Sequence, residues 1–294
     1  MNIIIILNYN DYETTFNLLN QIQNYHILDK IIVVDNCSTD NSYEKLMVMQ
    51  GNKIDIILCS KNLGYAYGNN YGMKFAFANY NPKNFIISNP DILFLEEDLG
   101  KILKVLDSGE NIGIVTGRIH DLKNELISNW AWRVPTYKDL LVGCFFTTYL
   151  LVRRFFKTSI YLDKKLLEKN DIVETEAVSG CFFSIRSEVF RDIGFFDERT
   201  FLYGEENIIA FKLKAGGYKS YVVSKAIITH MNSVSINKNI KKRMKKYKFR
   251  LDSEILYLKY YLRSSKFMIF IYRIVFYIGV MEKWLFSKYL LLVK

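Results

Sequence analysis

Short apolar runs that end in polar residues recur along the first third of the chain, and they constrain its fold more than any other feature. The runs are Ile3–Leu7, Lys30–Asp35, Ile54–Leu58 and Phe85–Ser88. They are rich in β-branched residues, as expected of strands buried on both faces of a parallel sheet. Segments with helical spacing or helix-capping residues separate them. This alternation predicts an α/β fold with a mostly parallel sheet and right-handed crossovers.

Polar residues follow several of the predicted strands directly. Asp35 ends the second run, Asn89 and Asp91 follow the fourth, and His230 follows a short predicted strand at Ala226–Thr229. The carboxyl ends of parallel strands meet at one edge of a sheet, where ligands bind, so these residues could share a site. Each has a structural alternative. Asp91 could equally cap the next segment, and a single histidine such as His230 is often a core residue.

The types of these residues point to two kinds of chemistry. Asp91 and His230 offer an oxygen and a nitrogen ligand, which suit Mn²⁺ or Mg²⁺ bridged to substrate phosphates. Glu205 and Glu206 open a predicted helix. A carboxylate there could take the proton of an attacking hydroxyl, or could simply complement the helix dipole. The glycine- and asparagine-rich loop at 62–72 has no Rossmann or P-loop fingerprint, although it permits close backbone approach to a ligand.

Further elements are predicted from the periodicity of apolar residues and from the turn residues that separate them. They are a helix near Glu97–Leu106, a strand over Ile112–Thr116, one core strand over Val178–Ile185, a helix from Glu205 through Ala215, and two short strands over Tyr218–Val223 and Ala226–Thr229. The apolar stretch Leu140–Val152 is too short to span a bilayer, and a buried helix or a membrane-facing loop is expected there.

An ordered set of motifs resembles the family 2 glycosyltransferases, and their rhamnosyltransferase-like branch in particular. The motifs are Asn8–Asn10, Ile32–Asp40, Lys61–Gly64, Asn69–Gly72, Ser88–Asp91, Ser179–Phe182, Gly194–Glu198 and Phe201–Glu206. The resemblance implies the GT-A fold, a Rossmann-like mixed sheet flanked by helices, over residues 1–235. Within it, 1–100 would form the nucleotide-sugar half and 101–235 the acceptor half. A helical basic tail would follow over 236–294.

The resemblance implies a nucleotide site at the first two strands. Asp35 and Asn62 match positions that contact the base and the ribose of a nucleotide. The backbone of Asn8, Tyr9 and Asn10 lies beside them in that family.

It also implies a metal site and a base. Asn89-Pro90-Asp91 matches the DxD motif, in which Asp91 is the metal-binding acid and Asn89 contacts the nucleotide donor. His230 matches a histidine that often completes the metal or diphosphate site, so Mn²⁺ or Mg²⁺ is the expected cofactor. Glu205 and Glu206 match a Glu-Asp pair whose second member is the usual base, which favours Glu206 over Glu205.

Two departures from the family pattern stand out. Asn89 replaces the first Asp of DxD. In the second motif, Glu206 stands where Asp is commoner, and Ile208 replaces a downstream Asp. The expected reaction is an inverting hexosyl or deoxyhexosyl transfer from a UDP- or dTDP-sugar to a glycan or lipid-linked acceptor, in cell-surface polysaccharide synthesis. The departures keep a non-catalytic sugar-nucleotide binder or assembly partner as the alternative. A nicotinamide oxidoreductase is disfavoured because the first strand lacks the glycine fingerprint.

The positive charge of the chain is concentrated at its C-terminus. Residues 238–294 hold 15 Lys/Arg and three acids, a net of +12, whereas the whole chain has a net charge of +10. The apolar stretch Phe267–Met281 is short for a membrane span. Aromatics with basic flanks suit an interfacial helix on anionic lipid, and a helical pair packed on the domain is the alternative. The near-neutral body and the lack of a recognition motif argue against nucleic acid as a partner.

Cysteines and the N-terminus indicate the compartment. The four cysteines are far apart and form no CxxC pair, which predicts free thiols in a reducing environment and no zinc site. The N-terminus has no basic n-region and no small-residue cleavage site. We therefore expect a cytoplasmic protein, peripheral on the inner face of the cell membrane.

Overall fold

The computed structural model describes residues 1–127, 129–145, 159–231 and 243–292. The strands are β1 Asn2–Asn8, β2 Lys30–Asp35, β3 Ile54–Leu58, β4 Asn84–Ser88, β5 Ile92–Phe94, β6 Ile112–His120, β7 Ala131–Trp132, β8 Ile172–Thr175, β9 Ala177–Val178, β10 Phe182–Arg186 and β11 Lys219–His230. The α-helices are α1 Tyr12–Ile22, α2 Ser42–Leu46, α3 Tyr65–Asn79, α4 Glu96–Leu106, α5 Tyr137–Cys144, α6 Lys164–Lys169, α7 Ser187–Asp192, α8 Glu205–Ala215, α9 Arg243–Tyr260 and α10 Lys266–Leu292.

One mixed sheet organises the described residues. Its strand order is β3-β2-β1-β4-β10-β6-β11-β5, and β8 pairs with β11. Strands β3, β2, β1 and β4 are mutually parallel, whereas β10 runs antiparallel to both β4 and β6. The chain therefore reverses its winding direction at β1 and β4, and such a switch point opens a crevice for ligands at the strands' carboxyl ends. The predicted α/β fold with a mixed sheet flanked by helices is confirmed.

The isoleucines of β1 contribute to the apolar cores on both faces of this sheet. Ile4 and Ile6 pack into the core on one face, and Ile3 and Ile5 pack into the core on the other. All four are fully buried. Full burial of such a side chain contributes about 1.5–3 kcal/mol, so the unbroken apolar run fixes β1 at the centre of the fold.

The single strand predicted over Val178–Ile185 is wrong. Ala177–Val178 pairs with Ala131–Trp132 in a separate two-stranded sheet, while Phe182–Arg186 lies between β4 and β6. The chain turns between them at Ser179–Cys181. Apolar continuity conceals this turn, because the residues on both sides of it are buried in different layers.

Other boundaries also differ from the prediction. The two short strands predicted at 218–229 form the single strand β11, which shifts register against β6 between Val223 and Ile227. Strand β6 continues to His120, and β5 has no counterpart in the prediction. Strand β5 is three residues long and pairs at the edge of the sheet, so its sequence signal is weak.

The two C-terminal helices pack against the rest of the protein. Leu258, Tyr272 and Phe276 share an apolar cluster with Leu140 of α5 and Ile208 of α8. None of the described helices combines the length and apolarity needed to cross a bilayer. Residues 146–158, which include the second half of the apolar stretch Leu140–Val152, lie outside the described residues. Residues 232–242, which include the start of the basic segment, also lie outside them.

Candidate active site

The carboxylate of Asp35 is fully buried at the carboxyl end of β2. Its Oδ2 accepts hydrogen bonds from Asn8 Nδ2 at 2.7 Å and from Ser38 Oγ at 2.8 Å. Its Oδ1 accepts one from the Ser38 backbone N–H at 2.7 Å. Because a carboxylate oxygen has two acceptor positions, Oδ1 keeps one of them for a further donor. Asp35 therefore both shapes the loop and retains capacity to bind a ligand group.

Asn10 joins the loop after β1 to the loop after β2. Its backbone N–H donates to Ser38 Oγ at 2.9 Å, and its Oδ1 accepts from the Thr39 N–H at 2.7 Å. It has a positive φ of 49°, a conformation in which asparagine is enriched among non-glycine residues. Tyr9 is half-buried between Asn8 and Asn10. The predicted nucleotide residues of the first two strands therefore form one hydrogen-bonded floor.

Asn62 extends this floor towards α3. Its Oδ1 accepts hydrogen bonds from Asn36 Nδ2 and from the Gly64 N–H, both at 3.1 Å. Gly64 has φ +102°, and an added Cβ would lie 2.2 Å from the carbonyl oxygen of Phe201. The next residue, Tyr65, donates its backbone N–H to that same oxygen at 2.9 Å. Glycine is therefore required at 64 by both its conformation and its close contact.

Asp91 and His230 lie together at the carboxyl ends of β4 and β11. His230 Nε2 is 3.3 Å from Asp91 Oδ2, and the Asp91 side chain is almost fully buried. Burial lowers the pKa of His230, but the Asp91 carboxylate and the Cys181 thiol outweigh it and raise that pKa to about 10. The Met231 N–H donates to the Asp91 carbonyl at 2.9 Å, which fixes the two segments to each other.

These residues fit part of a divalent cation site. His230 Nε2 is buried without a well-aligned hydrogen bond and lies 3.3 Å from Asp91 Oδ2, so a cation would take the place of the proton between them. Across the described ranges, no group of three or more His, Cys, Asp or Glu side chains could hold a metal ion. A cation here would take two protein ligands and the rest from phosphate or water, an arrangement common for Mg²⁺. Binding through His230 would also displace a proton.

Glu205 and Glu206 begin α8, after Gly204 in the left-handed conformation. Glu205 is 5% exposed, and its Oε2 has no hydrogen-bond partner among the described residues. Burial raises the pKa of both carboxyl groups, and the charge of Glu206 raises that of Glu205 further. Glu206 Oε1 accepts a hydrogen bond from the Gly180 N–H at 3.3 Å. A raised pKa strengthens a carboxylate as a base near neutral pH.

Gly180 brings Glu206 and Tyr65 together. The Tyr65 hydroxyl donates to the Gly180 carbonyl at 2.6 Å. A Cβ at position 180 would lie 3.2 Å from Glu206 Oε1 and 3.5 Å from Tyr65 Oη. Burial raises the pKa of Tyr65, with smaller contributions from Glu205 and Glu206, so the phenol stays protonated and keeps donating.

The turn at Ser179–Cys181 connects the two ends of the site. The Cys181 carbonyl accepts the Asn89 N–H at 2.8 Å, one residue away from the Gly180 N–H that binds Glu206. At the end with the predicted nucleotide residues, Tyr65 follows Gly64 and so adjoins the Asn62 loop. The predicted site residues therefore lie along one continuous band at the carboxyl edge of the sheet.

Three residues of this band were not predicted as site residues: Ser38, Tyr65 and Gly180. Ser38 follows Asp35 by three residues, a spacing typical of a side chain that closes a loop on its own carboxylate. Tyr65 and Gly180 are 115 residues apart and meet only in the fold. A fourth contact adjoins the glutamates, where Trp132 Nε1 donates to Asn207 Oδ1 at 2.8 Å.

Comparison with known proteins assigns a fold to this geometry. The chain is similar to a crystal structure of GalNAc-T7 with UDP, GalNAc and Mn²⁺, with a TM-score of 0.58, 14% identity, and coverage of 78% of this chain and 43% of that one. It is similar to the mannosyltransferase PcManGT from Pyrobaculum calidifontis in complex with GDP-Man and Mn²⁺, with a TM-score of 0.57, 14% identity, and coverage of 90% and 65%. These neighbours are GT-A glycosyltransferases, and the likeness shows the fold.

Sequence comparison extends the likeness to a family. The chain is 26% identical over 203 residues to the low-salt glycan biosynthesis hexosyltransferase Agl10 of Haloferax volcanii. That match covers 69% of this chain and 58% of the relative, so the chain spans less than two thirds of the relative's length. The family model described as "Glycosyl transferase family 2" matches residues 3–194, about two thirds of the chain. The protein belongs to glycosyl transferase family 2.

Proposed function

We propose that the protein transfers a hexosyl or deoxyhexosyl group from a UDP- or dTDP-sugar to a hydroxyl of a glycan or lipid-linked acceptor, with inversion at the anomeric carbon. Membership of the family supports glycosyl transfer. The donor, the acceptor and the stereochemistry are our own inference from the motif resemblance, which the band of residues at the sheet edge supports, and we place the reaction in cell-surface polysaccharide synthesis.

The nucleoside end of the donor is assigned to the floor formed by Asn8–Asn10, Asp35 and Asn62. Asp35 is the polar anchor, because its Oδ1 keeps an acceptor position although the carboxylate is buried. A base N–H or a ribose hydroxyl would fill that position. Backbone from Asn8–Asn10 and the side chain of Asn62 would complete the contacts around the nucleoside.

The diphosphate is assigned to the other end of the band. Asp91 and His230 would hold Mn²⁺ or Mg²⁺ there, with Asn89 beside them. When bound, the cation supplies positive charge that neutralises the departing nucleotide diphosphate. Asn89 offers an amide in place of a second carboxylate, so the protein contributes one negative charge to this end of the site.

Glu206 is assigned as the base. As the acceptor oxygen bonds to the anomeric carbon, the bond from that carbon to the diphosphate oxygen breaks, and the acceptor proton passes to the carboxylate. Attack on the face opposite the leaving group inverts the anomeric configuration. The Gly180 N–H donates to Glu206 Oε1, and Oε2 would receive the proton. Trp132, which donates a hydrogen bond to Asn207 next to Glu206, is assigned to the acceptor side of the site.

The observation that carries this proposal is the turn at Ser179–Cys181. It joins the segment of Asn89 and Asp91 to the Glu206 carboxylate through two backbone hydrogen bonds. A leaving-group site and a base fixed to the same turn are what a single displacement needs, since both must act on one carbon at once.

A thermal-shift screen of nucleotide sugars with and without Mn²⁺ tests the donor and metal sites together. We expect one UDP- or dTDP-sugar to raise the melting temperature more with Mn²⁺ than without it. Asp91→Ala should abolish the part of this increase in melting temperature that depends on Mn²⁺. Asp171→Ala is the matched control, because Asp171 is an exposed acid paired with Lys225 on the surface. Equal Mn²⁺-dependent shifts in both variants would refute the metal assignment.

A non-catalytic sugar-nucleotide binder or assembly partner is the second candidate. The observation that favours it is the single acid at the metal end, with no group of three metal-ligating side chains in the described ranges. Nucleotide binding without transfer, across a broad panel of donors and acceptors, would support this candidate and overturn the catalytic one.

We also propose that the acceptor is met at a membrane surface. The segment 238–294 has a net charge of +12, and anionic lipids attract such segments. A lipid-linked saccharide would then be reached from the inner face of the cell membrane. Residues 1–235 would form the transferase domain and 236–294 the membrane-associated tail.

A further inference from the structure

Tyr65 is the first residue of α3, and its backbone and side chain contact two different parts of the site. Its N–H donates to the Phe201 carbonyl at 2.9 Å, in the loop that leads into Glu205 and Glu206. Its hydroxyl donates to the Gly180 carbonyl at 2.6 Å, towards the short end of the range for O–H donors. Tyr65 therefore links the start of α3 to both segments that border Glu206.

The ring of Tyr65 is held in place by its own neighbours. It meets the Phe196 ring edge to face, with 5.7 Å between the centroids and an interplanar angle of 81°. This is one of the arrangements that aromatic pairs prefer. One turn further along α3, Asn69 Nδ2 donates to the Tyr65 carbonyl at 2.9 Å. The hydroxyl is thus presented to Gly180 from the fixed end of a long helix.

Gly180 depends on outside contacts for its conformation, because glycine has more backbone freedom than any other residue. Its N–H donates to Glu206 Oε1 at 3.3 Å, so a rotation of the backbone at Gly180 alters this hydrogen bond. On one side of Gly180, the Cys181 carbonyl is held by the Asn89 N–H at 2.8 Å. The Tyr65 hydroxyl supplies the contact at Gly180 itself.

The phenol of Tyr65 and the carboxylate of Glu206 approach Gly180 from the same side. A Cβ added to Gly180 would lie 3.5 Å from Tyr65 Oη and 3.2 Å from Glu206 Oε1. Burial raises the pKa of Tyr65, and the charges of Glu205 and Glu206 raise it further, so the hydroxyl keeps its proton at neutral pH. It therefore remains a donor to Gly180 while Glu206 is ionised.

We propose that Tyr65 is a positioning residue for the base: its hydroxyl holds the Gly180 backbone, and through it the Glu206 carboxylate, in the orientation that receives the acceptor proton. The inference rests on the proposed function and adds a residue to it. Tyr65 acts through Gly180 and not on the reacting atoms, so loss of its hydroxyl should change the rate of transfer and leave the binding of the donor unchanged.

Steady-state kinetics of Tyr65→Phe tests this role, because the change removes the hydroxyl and keeps the ring against Phe196. We expect kcat to fall about tenfold, since reacting groups tolerate little misplacement, while KM for the donor stays that of wild type. The matched control is Tyr80→Phe. It also loses a tyrosine hydroxyl, bonded to Asp55 Oδ2 at 2.6 Å, but just beyond the other end of α3, and it should leave kcat unchanged.

Hydrogen exchange of the full chain, without donor or acceptor, measures the contact itself. The amides of residues 179–183 should exchange about fivefold faster or more in Tyr65→Phe, as expected for the loss of one hydrogen bond, and at the wild-type rate in Tyr80→Phe. Unchanged exchange in Tyr65→Phe would overturn the proposal, and so would a rise in donor KM with kcat unchanged. A wild-type protein that transfers no sugar would instead refute the proposed function, and the exchange rates would still decide whether Tyr65 holds Gly180.

Discussion

At the residue scale, the raised pKa of Glu205 and Glu206 predicts a pH dependence of catalysis. Because the base must be ionised, kcat should rise with pH along a limb that lies above 4.5, the ordinary value for glutamate. A pH–rate profile of kcat measures this limb. An acidic limb centred at or below 4.5 would contradict a base with a raised pKa.

The sequence identified the polar ends of the strands but not the residues that hold them. Asp35, Asp91 and His230 could be predicted because each directly follows an apolar run. Their partners could not, because contacts such as Tyr65 with Gly180 join residues that are distant in the chain. The choice between Glu205 and Glu206 stays a prediction in favour of Glu206, since the pKa values of both neighbouring carboxyl groups are raised.

The raised pKa of Glu205 also has a consequence for stability. A carboxyl group with a raised pKa in the folded state favours folding below the unfolded value, and this contribution is lost as pH rises through the folded value. At neutral pH, Glu205→Gln should therefore raise the free energy of unfolding, most visibly when compared with the same variant at pH 4. Urea denaturation at the two pH values measures the difference. A loss of stability at neutral pH would show that ionised Glu205 is well solvated or paired.

Gly180→Ala should impair catalysis more than folding. The new Cβ would contact Glu206 Oε1 and Tyr65 Oη, both of which are side-chain atoms that can shift. Displacing a base by a few tenths of an ångström should lower kcat by about tenfold, because reacting groups tolerate little misplacement. Gly143→Ala in α5 is the control, since no atom of the described residues lies within 4 Å of its added Cβ. Equal kcat values in the two variants would argue against a role for Gly180 in placing Glu206.

At the element scale, long periodic segments were predictable and short connections were not. Helix α8 has the predicted bounds, and β2 and β3 match theirs. The break between β9 and β10 was missed, although it forms the turn that joins the two ends of the site. Local sequence cannot show such a turn, because its position depends on Glu206 and Asn89 arriving from elsewhere.

Helix α9 supports the loop that leads into the glutamates. Phe249 stacks on Phe201 at 4.5 Å between ring centroids, and Ser253 Oγ donates to the Leu202 carbonyl at 3.2 Å. The Phe201 carbonyl in turn accepts a hydrogen bond from the N–H of Tyr65, the first residue of α3. The C-terminal helices thus contact the site as well as the body of the fold.

Phe249→Ala should therefore lower kcat severalfold and reduce stability by about 1 kcal/mol beyond the lost burial, the usual value of an aromatic pair. Steady-state kinetics with a water-soluble acceptor analogue separates this effect from membrane binding. Met244→Ala, at an exposed position of the same helix, should leave kcat unchanged. An equal response of the two variants would remove α9 from the support of the loop.

At the scale of the whole molecule, the uneven charge of the sequence identified a basic C-terminal tail but did not predict how that tail packs. The buried side chain of Glu254 illustrates this packing. It accepts a hydrogen bond from Arg250 at 2.9 Å and from the Tyr272 hydroxyl at 2.6 Å, so α9 and α10 are joined by a polar contact inside an apolar cluster. By composition, Arg250 and Tyr272 belong to a basic and aromatic tail, but in the fold they contribute to a buried contact between two helices.

Tyr272→Phe should lower the free energy of unfolding by about 1.5–3 kcal/mol, the usual value of a hydrogen bond to a charged group. Chemical denaturation of the full chain measures it. Tyr277→Phe, on the exposed face of the same helix, should change stability little. Equal stabilities would mean that the C-terminal pair is not anchored through Glu254.

The proposed transfer reaction is tested most directly by the rate of sugar transfer from the donor found in the thermal-shift screen. Wild type, Glu206→Gln, Glu205→Gln and the exposed control Glu188→Gln should be compared with folding verified. We predict that Glu206→Gln loses transfer by about a hundredfold or more, the usual contribution of a general base, while Glu188→Gln matches wild type. Undiminished transfer by both Glu206→Gln and Glu205→Gln would contradict the assignment of the base to this pair.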